Sequence, residues 1–212
     1  MEYADLFGNI ISTKFSPKAK SGLTIIENGE YLFYPDFFTK SESDLYLQKL
    51  KTDIEWKQES MNMYGKQVAF PRLTAWYGDN DKPYSFSGIT LAPKIWTKEL
   101  VDIKEKIEPV SKIRFNSVLL NRYRSGNDSI SWHTDTEKEL GRNPIIASVN
   151  FGATRKFQLR HIKTKEKLEI ELSHGSLLIM QGELQHFWQH QVPKTNQNVS
   201  ERINLTFRVI KL

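Results

Sequence analysis

Three short patterns in this chain bring together side chains that bind metals and anions. The first is His133-x-Asp135, within Trp132-His133-Thr134-Asp135. Residues two apart on a strand point to the same face, so one imidazole nitrogen and one carboxylate oxygen can meet a single ion. A second histidine from a distant strand would complete three ligands on one side and leave the other side open. Two histidines and a carboxylate with open positions suit non-haem Fe(II), which needs room for oxygen and a co-substrate. The other histidines are His161, His174, His186 and His190. An H-x-D pair by itself is more often a strand-end histidine bonded to a nearby acid.

The second pattern is Arg202-Ile203-Asn204-Leu205-Thr206-Phe207-Arg208. On a strand, Arg202, Asn204, Thr206 and Arg208 share one face, and the apolar residues take the other. Guanidinium binds carboxylate through two parallel hydrogen bonds, so this polar face suits a dicarboxylate better than it suits a core. The third is Asn121-Arg122-Tyr123, a short loop before His133. Asn121 and Tyr123 share a face and both can donate to an acid.

These patterns need strands to carry them. From Phe115 onward the chain offers short β-rich runs: Phe115–Tyr123, Ile130–His133, Ile145–Phe151, Lys156–Arg160, Lys167–Leu172, Ser176–Ile179, Phe187–Gln191 and Ile203–Val209. Gly126, Gly141, Gly152, Gly175 and Gly182 punctuate them. Such spacing predicts a sandwich or barrel. Upstream, Leu23–Ile26 and Tyr31–Tyr34 read as strands around Asn28-Gly29. Ser41–Leu50 reads as a helix capped by Ser41 or Ser43, and Ile95–Ile107 as a second helix ended by Pro109. Tyr64-Gly65-Lys66 reads as a hairpin turn. The expected organisation is a loose segment over 1–20, an α+β region over 21–112 and a β core over 113–212. No linker-like composition separates the last two, so they are expected to form one compact unit.

With 212 residues and no cysteine, the chain can build a core without disulfides, and cysteine nucleophiles and zinc–cysteine sites are excluded. Thirty Lys+Arg against 25 Asp+Glu give a net charge of +5, which permits a polyanionic partner without demanding one. No stretch approaches 18 apolar residues, and Met1–Lys20 does not read as a signal peptide. A cytoplasmic location is therefore expected, or a nuclear one in a eukaryote.

The ordered set of motifs resembles the AlkB family of Fe(II)- and 2-oxoglutarate-dependent dioxygenases. It comprises Asn121-Arg122-Tyr123, His133-Thr134-Asp135-Thr136-Glu137, Ser148-Val149-Asn150-Phe151-Gly152, His174-Gly175-Ser176-Leu177-Leu178, Trp188-Gln189-His190 and the run from Arg202 to Arg208. The resemblance is strongest over Asn116–Arg208 and reaches back to about Tyr64. It implies an α+β, mainly β fold with a double-stranded β-helix (jelly-roll) core. It implies oxidative removal of alkyl groups from nucleic-acid bases, with Fe(II), 2-oxoglutarate and O2 as cofactor and co-substrates.

The resemblance also assigns residues. His133, Asp135 and His190 would hold the metal, with His186 the rival to His190. His174 would be structural and His161 a surface residue at a strand end. Asn121, Tyr123, Arg202, Asn204, Thr206 and Arg208 would line the 2-oxoglutarate pocket. Arg208 would face the distal carboxylate, and Arg202 would lie near the metal end beside Asp135. A flipped base would stack between His133 and Phe86, with Tyr84 nearby, and Glu137 would accept from its exocyclic amine. Met63-Tyr64-Gly65-Lys66 resembles the finger hairpin of duplex-acting members, and Arg72 matches a DNA-contacting position. Pro71–Gly78 instead resembles members that prefer single strands and RNA. Lys66, Arg122, Arg124, Arg155 and Arg160 are further candidate phosphate contacts. The implied partner is alkylated DNA, or RNA, and the chain is expected to be a monomer without membrane association.

Overall fold

Alternation along the strands divides the interior into two layers. In the computed structural model, which describes residues 3–4, 10–11, 21–63, 65–79, 84–86, 89–91 and 93–211, a seven-stranded sheet runs through the middle. Its order is Gly22–Ile26, Gly29–Tyr34, Ser176–Gln181, Ile146–Gly152, Arg202–Arg208, Ser117–Tyr123 and Leu73–Gly78. A four-stranded sheet packs against one face, in the order Ile130–His133, Trp188–Val192, Arg155–His161 and Lys167–Leu172. All pairings within the two sheets are antiparallel. This is the expected jelly-roll arrangement, and each of the eight core strands falls within a few residues of its predicted position.

Two helices cover the other face of the large sheet. Helix α1 (Lys40–Asp53) and helix α2 (Lys98–Ser111) bury Leu50, Leu100, Ile103 and Ile107 against Val118, Leu120, Val149, Ile203, Leu205 and Phe207. Full burial of each such side chain contributes roughly 1.5–3 kcal/mol. The side of the same strands facing the small sheet carries Asn121, Ser148, Asn150, Arg202, Asn204, Thr206 and Arg208, all buried. Between the sheets an apolar cluster including Tyr31, Phe33, Phe157, Leu159, Ile170, Leu178 and Trp188 walls in this polar patch.

Two expected helix boundaries are corrected. The cap of α1 is Thr39, not Ser41 or Ser43. Its hydroxyl accepts from the Glu42 N–H while the Glu42 carboxylate accepts from the Thr39 N–H, a reciprocal capping box. Glu42 at the third helical position selects Thr39 among the three hydroxyls. Pro109 does not end α2, which runs on to Ser111. A proline in the last turn removes one donor, and Lys112 then closes the helix in the left-handed region, its N–H bonding the Glu108 carbonyl.

The hairpin Ser60–Met63/Lys66–Ala69 and the short pair Tyr84–Phe86/Ile89–Leu91 stand apart from both sheets. Apart from the strand pair Tyr3–Ala4/Ile10–Ile11, the expected loose segment 1–20 lies outside the described residues.

Candidate metal and co-substrate site

His133 ends the strand Ile130–His133, and its Cα partner across the small sheet is His190, on Trp188–Val192. This pairing sets the two imidazoles 4.2 Å apart, centre to centre. Asp135 follows two residues after His133, and one ligand atom from each of the three residues lies within 4.8 Å of the others. His133 Nδ1 lies 2.8 Å from the Ser131 carbonyl and so must carry the proton it donates. Its other ring nitrogen, Nε2, is thereby left facing Asp135 Oδ1 at 3.9 Å.

His186 is elsewhere. It lies on the short helix α3 (Leu184–Phe187), and its Nε2 is 2.8 Å from Asn143 Oδ1. His174 joins the helical layer to the large sheet: its Nδ1 accepts from the Gly152 N–H and its Nε2 meets Asp44. His161 is not the surface residue expected. It is buried, flat against Phe187, with Nδ1 accepting from the Thr164 N–H and Nε2 facing Asn28 Oδ1. The chain folds back over this strand end through Asn28 and Trp188, contacts too distant in sequence to read locally.

The two arginines occupy the reverse of their expected ends. Arg208, not Arg202, lies beside Asp135, its Nη2 2.9 Å from Asp135 Oδ2, with both side chains buried. Arg202 is six residues away along the strand, about 20 Å at 3.3 Å per residue. It pairs across the sheet with Tyr123, and its guanidinium lies over the Tyr123 ring and donates to Asn150 Oδ1. Strand parity placed both arginines on one face but did not say which end meets Asp135. That follows from how the two sheets are set against each other.

Electrostatics sharpen the picture. Burial pushes the Asp135 carboxyl up, but the positive charge of Arg208, aided by the two imidazoles, holds it well below the ordinary carboxylate range. Burial, reinforced by His133, lowers His190 to about 3, so its ring is neutral at any working pH. Burial lowers Arg202 to about 10, against a raising influence from Tyr123, and it stays charged at neutral pH. Its Nε and Nη1 have no hydrogen-bond partner, and among the described residues no carboxylate pairs with it.

Two imidazoles, one carboxylate oxygen without a hydrogen-bond partner and a buried guanidinium share one cavity with Asn121, Tyr123, Asn204 and Thr206. The residues therefore fit both a divalent metal and a carboxylate ligand. Asn204 is held by Ser148 Oγ and Asn150 Oδ1, and Thr206 donates to Asn204 Oδ1. Ser148 and Asn150 belong to this network through strand parity with Asn204, a signal present in the sequence but unassigned to any role. Gln185 was missed altogether. Its side-chain oxygen, buried on α3, accepts the Asp135 N–H at 2.9 Å. Nothing local marks a glutamine fifty residues downstream of Asp135.

A second cavity adjoins the first and shares Ile130 and His133 with it. Its lining includes Trp132, Thr134, Glu137, Phe70, Arg72 and Val68. Glu137 thus lines the same cavity as His133. Arg72 is buried at 4% exposure rather than presented on a surface. Tyr64 lies outside the described residues, and for Tyr84 and Phe86 only the backbone pairing is described. Several candidate phosphate contacts are already engaged. Arg122 pairs with Glu201, Arg124 with Asp128, and buried Arg155 donates to the carbonyls of Ser125, Asp128 and Pro193. Arg160 lies over the Trp132 ring and donates to Gln189.

Comparison with known proteins settles the family. The model of the 2OG-Fe(II) oxygenase superfamily matches residues 30–208. DNA oxidative demethylase ALKBH2 of Bos taurus is 38% identical over 188 residues, covering 84% of this chain and 68% of that protein. The chain belongs to the AlkB family of 2OG-Fe(II) oxygenases. Alpha-ketoglutarate-dependent dioxygenase alkB homolog 3 of Homo sapiens is 43% identical over 187 residues, 84% of this AlkB-family chain and 65% of the human one. The chain therefore spans just under two thirds of that relative's length. The solved structure of OsALKBH1 superposes with a TM-score of 0.62 at 17% identity, covering 87% of this chain and all of that one, which supports the fold. The cofactor and co-substrates of such a family member are Fe(II), 2-oxoglutarate and O2.

Proposed function

We propose that this AlkB-family protein is a DNA oxidative demethylase. It removes alkyl groups from N1-methyladenine- and N3-methylcytosine-class lesions and releases aldehyde, succinate and CO2. The observation that carries this reading is Arg202: a buried guanidinium whose Nε and Nη1 have no hydrogen-bond partner and which pairs with no carboxylate among the described residues, in the same cavity as His133, Asp135 and His190. An uncompensated buried charge costs several kcal/mol, and a dicarboxylate ligand removes that cost. The curated relatives named as demethylases of DNA supply the substrate class.

When bound, Fe(II) with 2-oxoglutarate and O2 supplies the oxidation of the N-alkyl carbon. The chain does the rest. His133, Asp135 and His190 would hold the metal. Arg208 keeps Asp135 ionised and occupies its second oxygen. Arg202 grips the distal carboxylate of 2-oxoglutarate, with Asn121, Tyr123, Asn204 and Thr206 fixing its orientation. The outer cavity would receive the extruded base against His133, with Glu137 accepting from its amine, and Phe86 with Tyr84 would supply the second stacking surface, as the sequence resemblance implies. Tyr64, which the sequence resemblance matches to the finger of duplex-acting members, would fill the vacated stack in duplex DNA. The protein acts as a monomer in the cytoplasm, or in the nucleus of a eukaryote.

The test is a product assay on matched single- and double-stranded oligonucleotides carrying one methylated base. Restoration of the plain base, with succinate released only when iron and 2-oxoglutarate are present, is expected. An RNA substrate repaired in preference to both would shift the reading to RNA. Absence of succinate with every substrate would exclude catalysis.

A further inference from the structure

Arg72 stands where the two cavities meet. It precedes the strand Leu73–Gly78 at the edge of the large sheet and lines the outer cavity. Its guanidinium is turned away from solvent. Nε donates to Asn121 Oδ1 at 2.8 Å, Nη1 reaches the Ser129 carbonyl at 3.4 Å, and the group lies 4.9 Å above the Phe70 ring. Asn121 lines the inner cavity, beside Arg202 and Asn204.

Hydrogen-bond chemistry gives this contact a direction. A guanidinium only donates, and a primary amide has one acceptor atom. The Asn121 atom facing Arg72 must therefore be Oδ1. Its Nδ2 is then the atom left to point elsewhere, and it can only donate. Without Arg72, the amide could turn over and present an oxygen to the cavity. That oxygen would meet an anionic ligand with repulsion instead of a hydrogen bond.

We propose that Arg72 is a positioning residue for the co-substrate: from the wall of the outer cavity it fixes the flip state of Asn121, so that Nδ2 is offered to a carboxylate in the inner one. This rests on the reading of the inner cavity as the 2-oxoglutarate site. It gives Arg72 a task that needs no contact with nucleic acid.

The test is 2-oxoglutarate binding by calorimetry, anaerobically, with Mn(II) in place of Fe(II) and no nucleic acid present. Arg72→Met should weaken 2-oxoglutarate on the order of ten-fold, as loss of an outer partner of a ligand-binding group does, with Mn(II) affinity unchanged. Asn121→Ala should weaken it similarly, and Arg72→Met added to Asn121→Ala should cost nothing more. A purely structural role for Arg72 would instead add its loss in both backgrounds, and that result overturns the proposal. If Arg72→Met does not fold, Arg72→Lys replaces it, since it keeps the charge and stem but lacks the Nε donor; the same loss is expected. Unchanged 2-oxoglutarate affinity in either folded variant, with binding in the parent protein intact, also overturns it. Failure of the parent protein to bind 2-oxoglutarate would refute the functional reading itself.

Discussion

Arg202→Lys isolates the guanidinium fork. Lysine keeps a positive charge in the same buried place but offers a single nitrogen where arginine offers a planar pair. In the structure Nη2 is committed to Asn150, while Nε and Nη1 are the two donors left for a ligand. A hydrogen bond to a charged group contributes roughly 1.5–3 kcal/mol. Losing one of the two should raise the 2-oxoglutarate Kd roughly ten- to a hundred-fold, at 1.4 kcal/mol per factor of ten. Anaerobic calorimetry with Mn(II) gives both constants, and the metal affinity should hold, because Arg202 touches none of the three ligands. Arg208→Met should do the opposite. It leaves Asp135 buried without its cation, at a cost of roughly 3–5 kcal/mol, and burial then drives the carboxyl pKa up. Metal retention should fail first at acid pH, where that carboxyl protonates. Unchanged 2-oxoglutarate affinity in Arg202→Lys, with a weakened one and intact metal binding in Arg208→Met, would refute the assignment of the two ends.

Four other outcomes follow from particular contacts. His190→Ala should abolish Mn(II) binding by calorimetry, while His186→Ala, which loses only its Asn143 contact, should leave it intact. Gln185→Ala strands the buried Asp135 N–H, and metal affinity should fall roughly ten-fold or more, with the melting temperature lowered as well. Thr39→Ala should cost about 1 kcal/mol in urea unfolding through the lost cap of α1. Glu42 is held at about 2 by its hydrogen bond to Lys106 and by the Thr39 cap. Its contribution is therefore present above pH 4.5 and disappears as pH falls towards 2; Glu42→Gln should flatten the stability profile in that window.

Much of this site was legible because strands encode it by parity. Ile203, Leu205 and Phe207 had to face a core, so Arg202, Asn204, Thr206 and Arg208 had to share the other side. His133 and Asp135 obeyed the same rule. Parity says nothing about order along a shared face, and there the sequence reading reversed the two arginines. It was silent also where a contact joins distant segments. His161 is buried by Asn28 and Trp188, Gln185 reaches back to Asp135, and Arg72 turns inward to Asn121. The cap at Thr39 was readable in principle, since Glu42 stands three residues later.

The proposed metal ligands and the residues proposed to face the co-substrate sit on scaffolding of unequal permanence. Asn204, Asn150 and Asn121 stand on three adjacent inner strands of the large sheet, Ile146–Gly152, Arg202–Arg208 and Ser117–Tyr123, each paired on both sides. Their amides can exchange with solvent deuterium only when most of the molecule opens. His133 and Asp135 lie on and just beyond an edge strand whose register shifts between Ile130 and His133. That strand can peel away at far lower cost. An ion bridging His133 and Asp135 to His190, on the neighbouring strand, ties the peelable edge to the interior. Amide exchange at residues 130–135 should therefore slow sharply on metal addition, while exchange at 202–208 barely moves. On the proposed assignment, iron loss would be a local event that leaves the face carrying Arg202 and Asn204 already built for reloading.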